Sequence, residues 1–422
     1  MSNTKQHITV FEHETIRHDK GEKRLTKAQY EALEHHYDSG VPYFSLVHNG
    51  VKFNNYVGVI QVGGLLIEVL PKADKAPRTP SVENKWRNLL IGMLCAVGSF
   101  DIQQTSNSHL KIKPNTILDL YFELFIKEIE YLLHNGLVKQ YRKKEGNSTA
   151  LKGNLQFAKH IPQNLTHQER FYVRHTTYDV EHKWHIIIYK TLRLLKQINT
   201  NTALQSRIGA LLLHFPEMPD RAITEATFNA LVFNRKTHSY KKAMDIAKLI
   251  LLQYHPDISH GRHHVLALMF DMNRLWEQFV FVTLRQQKDA QITVTAQTSK
   301  DFWQPDNGYK SKMRPDIWLK KGDECIILDT KWKNLNGYNP SPEDLRQMYV
   351  YHEYYDAKKV ALVYPNHEDK EISGIYIKTK DGQTEKKCSV ILLATPDKIE
   401  NNQGLVKIWQ ENIRCKIGDW VK

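Results

Sequence analysis

Arg314-Pro315-Asp316-Ile317-Trp318-Leu319-Lys320-Lys321-Gly322-Asp323-Glu324-Cys325-Ile326-Ile327-Leu328-Asp329-Thr330-Lys331 is the stretch around which the chain is organised. Two apolar-rich runs flank Gly322-Asp323, a pair suited to a two-residue hairpin turn because glycine takes the positive φ that the first position needs. If Lys321 faces Glu324, the antiparallel register makes Ile317 face Leu328 and Asp316 face Asp329. Directly opposed β-carbons lie roughly 4.5–5.5 Å apart, and like charges there destabilise the ladder unless something neutralises them. Lys331, two residues beyond Asp329, projects from the same face because side chains alternate along a strand. Two carboxylates and an ammonium at one end of a buried hairpin suit a hard divalent cation, an oriented water and charge developing on a phosphate.

Downstream, Asp344-Leu345-Arg346-Gln347-Met348-Tyr349-Val350-Tyr351 reads as a helix opened by Ser341 or Pro342. Gln347 and Tyr351 lie at i and i+4 on one face of it. Pro315-Asp316 followed by Asp329-Thr330-Lys331 resembles the PD-(D/E)xK nuclease signature, and Gln347-xxx-Tyr351 is similar to the Gln-xxx-Tyr element of one nuclease branch. The resemblance implies Mg²⁺ held by Asp316 and Asp329, with Lys331 positioning or activating the attacking water and Thr330 offering at most its backbone carbonyl. Gln347 and Tyr351 would steady the substrate or the active-site strand. In such nucleases a helix before the hairpin often adds an acidic residue, which implies an auxiliary role for Glu277, in an amphipathic helix expected over Leu266 to Leu284. The competing reading is a surface hairpin with incidental charges, a helix with ordinary aromatic packing and an exposed glutamate.

At 422 residues, with 41% apolar and 10% aromatic residues, the chain has room for two or three domains with substantial cores. A formal charge of +13 and a pI near 9.3 point towards a polyanionic partner. The first residues contain no apolar core of signal-peptide length, and no segment offers about 18 uninterrupted apolar residues, so no membrane span and a cytoplasmic location are expected. Cys95, Cys325, Cys388 and Cys415 are widely separated, which argues against a zinc ribbon or a disulfide framework. No GxxxxGK[ST] phosphate loop occurs, so nucleotide hydrolysis by this chain alone is not expected.

Taken in order, Ile8 to about Leu70 reads as β-rich with one helix capped by Thr26. Strands are expected over Tyr43–Val47, Tyr56–Val62 and Leu65–Leu70, with turns at His48-Asn49-Gly50 and Gly63-Gly64. Lys72 to Glu83 reads as a loop, and Trp86–Val97, Ile117–Leu133, Glu181–Ile198 and Met244–Tyr254 as helices. The basic run Lys139 to Lys144 suits either phosphate contact or a solvated helix end. His260, His263 and His264 cluster near Gly261 as metal or phosphate ligands, or simply as an exposed loop. Ile292–Thr295, Lys359–Pro365 and Gly374–Ile377 read as strands of the last domain. The expected fold is therefore α+β and multidomain: a β-rich N-terminal domain over 1–115, a mainly helical region over 116–257, and an α/β nuclease core over 258–422.

Asn55 to Gly63, continuing through Ile67 to Lys72, resembles the N-terminal region of the McrC family, the nuclease subunit of McrBC-type modification-dependent restriction systems. Leu151–Ala158, Tyr172-Val173-Arg174 and Tyr178-Asp179-Val180 resemble that family's middle region, although His185 stands where the family tends to place Asn. The resemblance implies an endonuclease subunit cutting modified double-stranded DNA. Its partner would be a McrB-like AAA+ GTPase that binds the GTP, docks on the N-terminal domain and is stimulated by this chain. Two other readings stay open: a stand-alone repair or defence nuclease, and a non-catalytic nucleic-acid-binding adaptor.

Overall fold

The computed structural model describes residues 6–38, 40–72, 77–97, 117–199, 201–252, 254–255, 265–286, 292–335, 337, 339–378, 382–396 and 402–422. The histidines 260, 263 and 264 lie outside them. The chain divides into two compact units, one formed by Met1–Lys111 with His255–Lys422 and the other by Ile112–Tyr254. The division falls within a few residues of the expected edges at 116 and 257, but the two outer segments share one unit.

The reason is a strand that the sequence pattern hides. Leu266 to Leu284, expected as one helix, is a strand over Val265–Asp271 followed by a helix over Met272–Arg285. Asp271 separates them: its carboxylate accepts from the backbone N–H groups of Asn273 and Arg274, an N-cap that starts the helix there. The strand pairs antiparallel with Tyr56–Val62, whose other neighbour is Leu65–Leu70, itself parallel to Gln6–Phe11. Gly58 permits this pairing, because at φ +141° an added β-carbon would come within 2.0 Å of the Leu268 carbonyl oxygen. Leu65–Leu70 is buried at every position, so its apolar run faces protein on both sides.

Against this sheet pack a small sheet, ordered Thr15–Arg17, Gly50–Phe53, Phe44–Val47, and the helix Lys27–Asp38. Thr26 caps that helix reciprocally with Gln29. The segment expected as a loop to Glu83 already turns helical at Pro80, where Thr79 caps and Pro80 occupies the first position of the helix Pro80–Val97.

The largest sheet of this unit has six strands in the order Ile292–Ala296, Ile317–Lys321, Glu324–Thr330, Ala357–Asn366, Gly382–Ala394, Lys370–Lys378. Glu324–Thr330 runs parallel to Ala357–Asn366, and the crossover between them is the helix Pro342–Tyr355. Its Tyr351, Tyr355 and Met348 join Ile327, Leu362 and Tyr364 in one core. Met272–Arg285, Pro80–Val97 and Asn402–Val421 pack together as a second helical layer. Trp276 and Trp409 stack at 5.1 Å there, and Gly92 lies so close to Val406 that a β-carbon would meet its Cγ2 at 2.0 Å. Truncating a buried tryptophan of this kind to alanine costs about 3–5 kcal/mol.

The unit 112–254 contains the helices Ile117–His134, Lys183–Ile198, Thr202–His214 and Lys241–Leu252. It also contains a three-stranded sheet in which Phe171–Asp179 pairs with Gln140–Ser148 and Asn154–Leu155. The basic run therefore lies in a strand and not at a helix end: alternation along Gln140–Ser148 sends Arg142 to Asp179 and Glu181, which it bonds in pairs. His185 is fully buried, with Nδ1 2.5 Å from the Val180 carbonyl and Nε2 2.9 Å from the Tyr240 hydroxyl. Burial, and secondarily the neighbouring His182, lowers its pKa to about 4, so it sits in the core as a neutral bridge. Among the described residues no helix is long and apolar enough to cross a membrane.

Candidate active site

The hairpin forms in the expected register, Ile317 opposite Leu328 through Lys321 opposite Glu324, with Gly322 at φ +60° in the turn. Asp316 departs from the expectation. The ladder ends at Ile317, and Asp316, just before the strand, does not face Asp329 as a ladder partner. Its Oδ2 instead accepts from the backbone N–H of Thr330 at 2.7 Å and from the Thr330 hydroxyl at 3.0 Å, while its carbonyl accepts from the Gln297 N–H. Thr330 thus contributes more than the backbone carbonyl expected of it. Two charge-fixing bonds from one residue hold the Asp316 carboxylate in a set orientation beside Asp329.

Asp329 is 1% exposed. Its Oδ2 lies 2.7 Å from the Lys331 ammonium, and its Oδ1 accepts from Gln347 Nε2 at 3.3 Å. Burial pushes its pKa up to about 7, and the negative charge of Asp316 adds to the rise against the pull of Lys331. Burial alone would lower the Lys331 ammonium, but Asp329, Asp344 and Asp316 hold it above its ordinary value and therefore charged. Its backbone N–H is fixed on the Val363 carbonyl at 3.0 Å.

Gln347 ties the group together. It accepts from Lys331 Nζ at 3.4 Å and donates to the Tyr351 hydroxyl at 2.8 Å, and that hydroxyl reaches the Arg314 carbonyl at 3.3 Å. The helix supplies both side chains because Ser341 caps it through the Asp344 N–H, which sets which face looks at the hairpin. Burial raises the Tyr351 pKa, so its hydroxyl stays a donor.

Glu277 lines a cleft of about 690 Å³ together with Arg274, Gln297, Arg314, Asp316, Thr330 and Lys331. Its Oε1 accepts from Gln297 Nε2 at 2.8 Å, and its pKa is raised, by burial first and by Asp316 among the charges that oppose it. Arg274, Arg314 and Gln297 are cleft residues that the sequence reading did not single out. Arg274 lies one turn before Glu277 on the same helix, which is the one signal that could have found it.

Trp332 anchors the segment beyond Lys331. Its indole N–H donates to Glu12 Oε1 at 2.8 Å, and its ring meets those of Trp86 and Trp276 edge-on. Glu12 is itself buried, which raises its pKa to about 7 despite the bonds it receives from Lys72 and Trp332.

Among the described residues, no group of three or more His, Cys, Asp or Glu side chains is placed to hold a metal ion. The donor set fits Mg²⁺ nonetheless. That ion usually keeps several waters and is bound through one or two carboxylates together with substrate phosphate. A carboxylate whose pKa is raised by burial, and raised further by a second carboxylate beside it, is a site short of positive charge.

The sequence model for "McrBC 5-methylcytosine restriction system component" matches residues 51–365. A curated relative, the type IV methyl-directed restriction enzyme EcoKMcrBC of Escherichia coli (strain K12), is 22% identical over 251 residues, covering 55% of this chain and 69% of that protein. In structure the chain is similar to one from the tetradecameric assembly of Thermococcus gammatolerans McrB AAA+ hexamers with bound McrC. The TM-score is 0.69 at 18% identity, covering 98% of this chain and 100% of that one, a likeness of fold.

Proposed function

The chain belongs to the family of McrBC 5-methylcytosine restriction system components, and from that premise we propose that it is the Mg²⁺-dependent endonuclease subunit of such a system, cutting double-stranded DNA in modified form. One observation carries the reading. Asp316, Asp329 and Lys331 converge at the open end of a hairpin, beside a cleft that also holds Glu277 and two arginines.

The proposed partner is a McrB-like AAA+ GTPase, which binds the GTP and whose hydrolysis this chain stimulates. Support comes from the T. gammatolerans assembly, in which McrB AAA+ hexamers carry bound McrC. Asp316 and Asp329 are the residues that would hold the cation, in a PD-(D/E)xK arrangement. When bound, Mg²⁺ lowers the pKa of its water and offsets charge on the scissile phosphate. Lys331, kept charged by Asp329 and oriented by Gln347, positions the attacking water and stabilises negative charge on the phosphate oxygens. Glu277 is a carboxylate poised to take up a proton within the cleft. Arg274 and Arg314 draw the DNA backbone towards it.

The test incubates the purified chain with modified and unmodified plasmid, with and without Mg²⁺, the GTPase and GTP, using Asp329→Ala as control. Cleavage only in the complete mixture, abolished by Asp329→Ala, is the expected result. Cutting by the chain alone would indicate a stand-alone nuclease, and no cutting under any condition an adaptor.

A further inference from the structure

Between the strand Ile292–Ala296 and Asp316 the chain makes a ribbon that belongs to neither large sheet. Lys300–Trp303 pairs with Ser311–Met313, with a register shift between Asp301 and Trp303. A lone two-stranded ribbon has little core of its own. This one is held at its base: the Tyr355 hydroxyl donates to the Met313 carbonyl at 2.7 Å, Phe302 meets Tyr354 edge-on, and the Lys300 ammonium sits 4.7 Å over the Tyr355 ring.

Away from the base the ribbon presents what a folded chain normally covers. Trp303 is 59% exposed and Tyr309 99% exposed, and among the described residues neither ring has an aromatic partner. Lys310 pairs with Asp301 at 3.2 Å, whereas Lys312 and Arg314 make no ion pair among the described residues. The chain then passes directly from Met313 through Arg314, a wall of the catalytic cleft, into Pro315 and Asp316.

We infer that this ribbon docks duplex DNA, lying along a groove with Trp303 and Tyr309 against sugars and base edges and Lys312 on a phosphate. It thereby sets which phosphate reaches the cleft. The inference rests on the nuclease reading above and adds to it the element that positions the substrate. Width suits the role, since the major groove of B-DNA, roughly 12 Å across, admits a two-stranded ribbon. Charge suits it too: Lys300, Lys310, Lys312 and Arg314 outnumber Asp301 and Asp306. Exposed rings beside Lys312 add apolar contact with the groove edge to a phosphate contact. Continuity decides between occupants, because whatever the ribbon holds is delivered to Asp316 within three residues of Met313.

The test measures binding of a fluorescein-labelled duplex to the full-length chain by anisotropy over a salt series, with Ca²⁺ replacing Mg²⁺ so that binding is read without cutting. The variants are Trp303→Ala with Tyr309→Ala, and separately Lys312→Ala, each checked for an unchanged melting temperature. The paired aromatic variant is expected to weaken duplex binding about tenfold or more with the salt slope preserved. Lys312→Ala should lower that slope by about one. Wild-type affinity in both variants overturns the inference, as does equal loss on single strands, or loss of binding to the GTPase partner with duplex affinity intact. Because the readout is binding, the ribbon can be refuted while Asp329-dependent cleavage persists, and it can stand even if the chain never cuts.

Discussion

Glu68 and Asp329 are both buried acids on central strands of one unit, and their surroundings treat them in opposite ways. Glu68, 0% exposed, receives Arg87 as a fork: Nε lies 3.0 and 2.8 Å from its two oxygens and Nη2 2.5 Å from one of them. Asp329 receives one ammonium, which Asp344 also draws on, and it adjoins a second carboxylate. A structural acid is matched in charge and geometry by its partner. The acid beside the cleft keeps surplus negative charge, which a proton or a cation must offset.

Removing either acid should break that symmetry in a different currency. Asp329→Ala is expected to lower plasmid cleavage about 10³-fold or more, the scale of losing a metal's several kcal/mol of transition-state stabilisation, measured as initial rates in the complete mixture. Glu68→Gln is expected to cost about 3 kcal/mol in urea unfolding, because breaking a buried pair leaves Arg87 without its counter-charge, with cleavage per folded molecule unchanged. A large cleavage loss in that variant at normal stability would erase the distinction.

Smaller effects sharpen it. Gln347→Ala removes the bridge between Lys331, Asp329 and Tyr351 without touching a charge. It should reduce cleavage about 10–100-fold, the usual loss for a residue that orients a metal's ligands, and should shift the Mg²⁺ concentration for half-maximal rate upwards.

In the unit 112–254, His185 offers a pH signature unrelated to catalysis. Its folded pKa of about 4 lies below the ordinary histidine value of 6.5, so the unfolded chain binds the proton more readily. The stability it contributes is present above about pH 6.5 and is lost as pH falls towards 4. His185→Asn, restoring the residue type that the McrC resemblance led the sequence reading to expect there, should flatten thermal stability across that window. An unchanged slope would count against the neutral-bridge assignment.

Much of this was legible in the chain itself. The Gly322 turn fixed the hairpin register down to individual pairs, and the strands Tyr56–Val62 and Leu65–Leu70 fall where alternation and the Gly63-Gly64 turn put them. Other features turn on cap residues that were there to be read: Asp271 divides the strand Val265–Asp271 from its helix, and Thr79-Pro80 starts a helix inside an expected loop. Apolar spacing alone merged the first pair, because a strand buried on most of its length and a helix face look alike over a few residues. The clip from Thr330 to Asp316 was hidden, since strand alternation says nothing about a residue just outside the ladder. So was the bond from Trp332 to Glu12, which joins residues 320 apart in sequence.

The central claim is that the Asp316–Asp329 pair is a cation site and not a flawed core. Melting temperatures of the wild-type chain and of Asp329→Asn, each with and without Mg²⁺, test it directly. The account predicts that Mg²⁺ raises the wild-type melting temperature, since a ligand that binds only the folded state stabilises it. It also predicts that Asp329→Asn, relieved of the buried charge, melts higher than the metal-free wild type and does not respond to Mg²⁺. A wild-type chain indifferent to Mg²⁺, or a variant that melts lower and still responds, would contradict it.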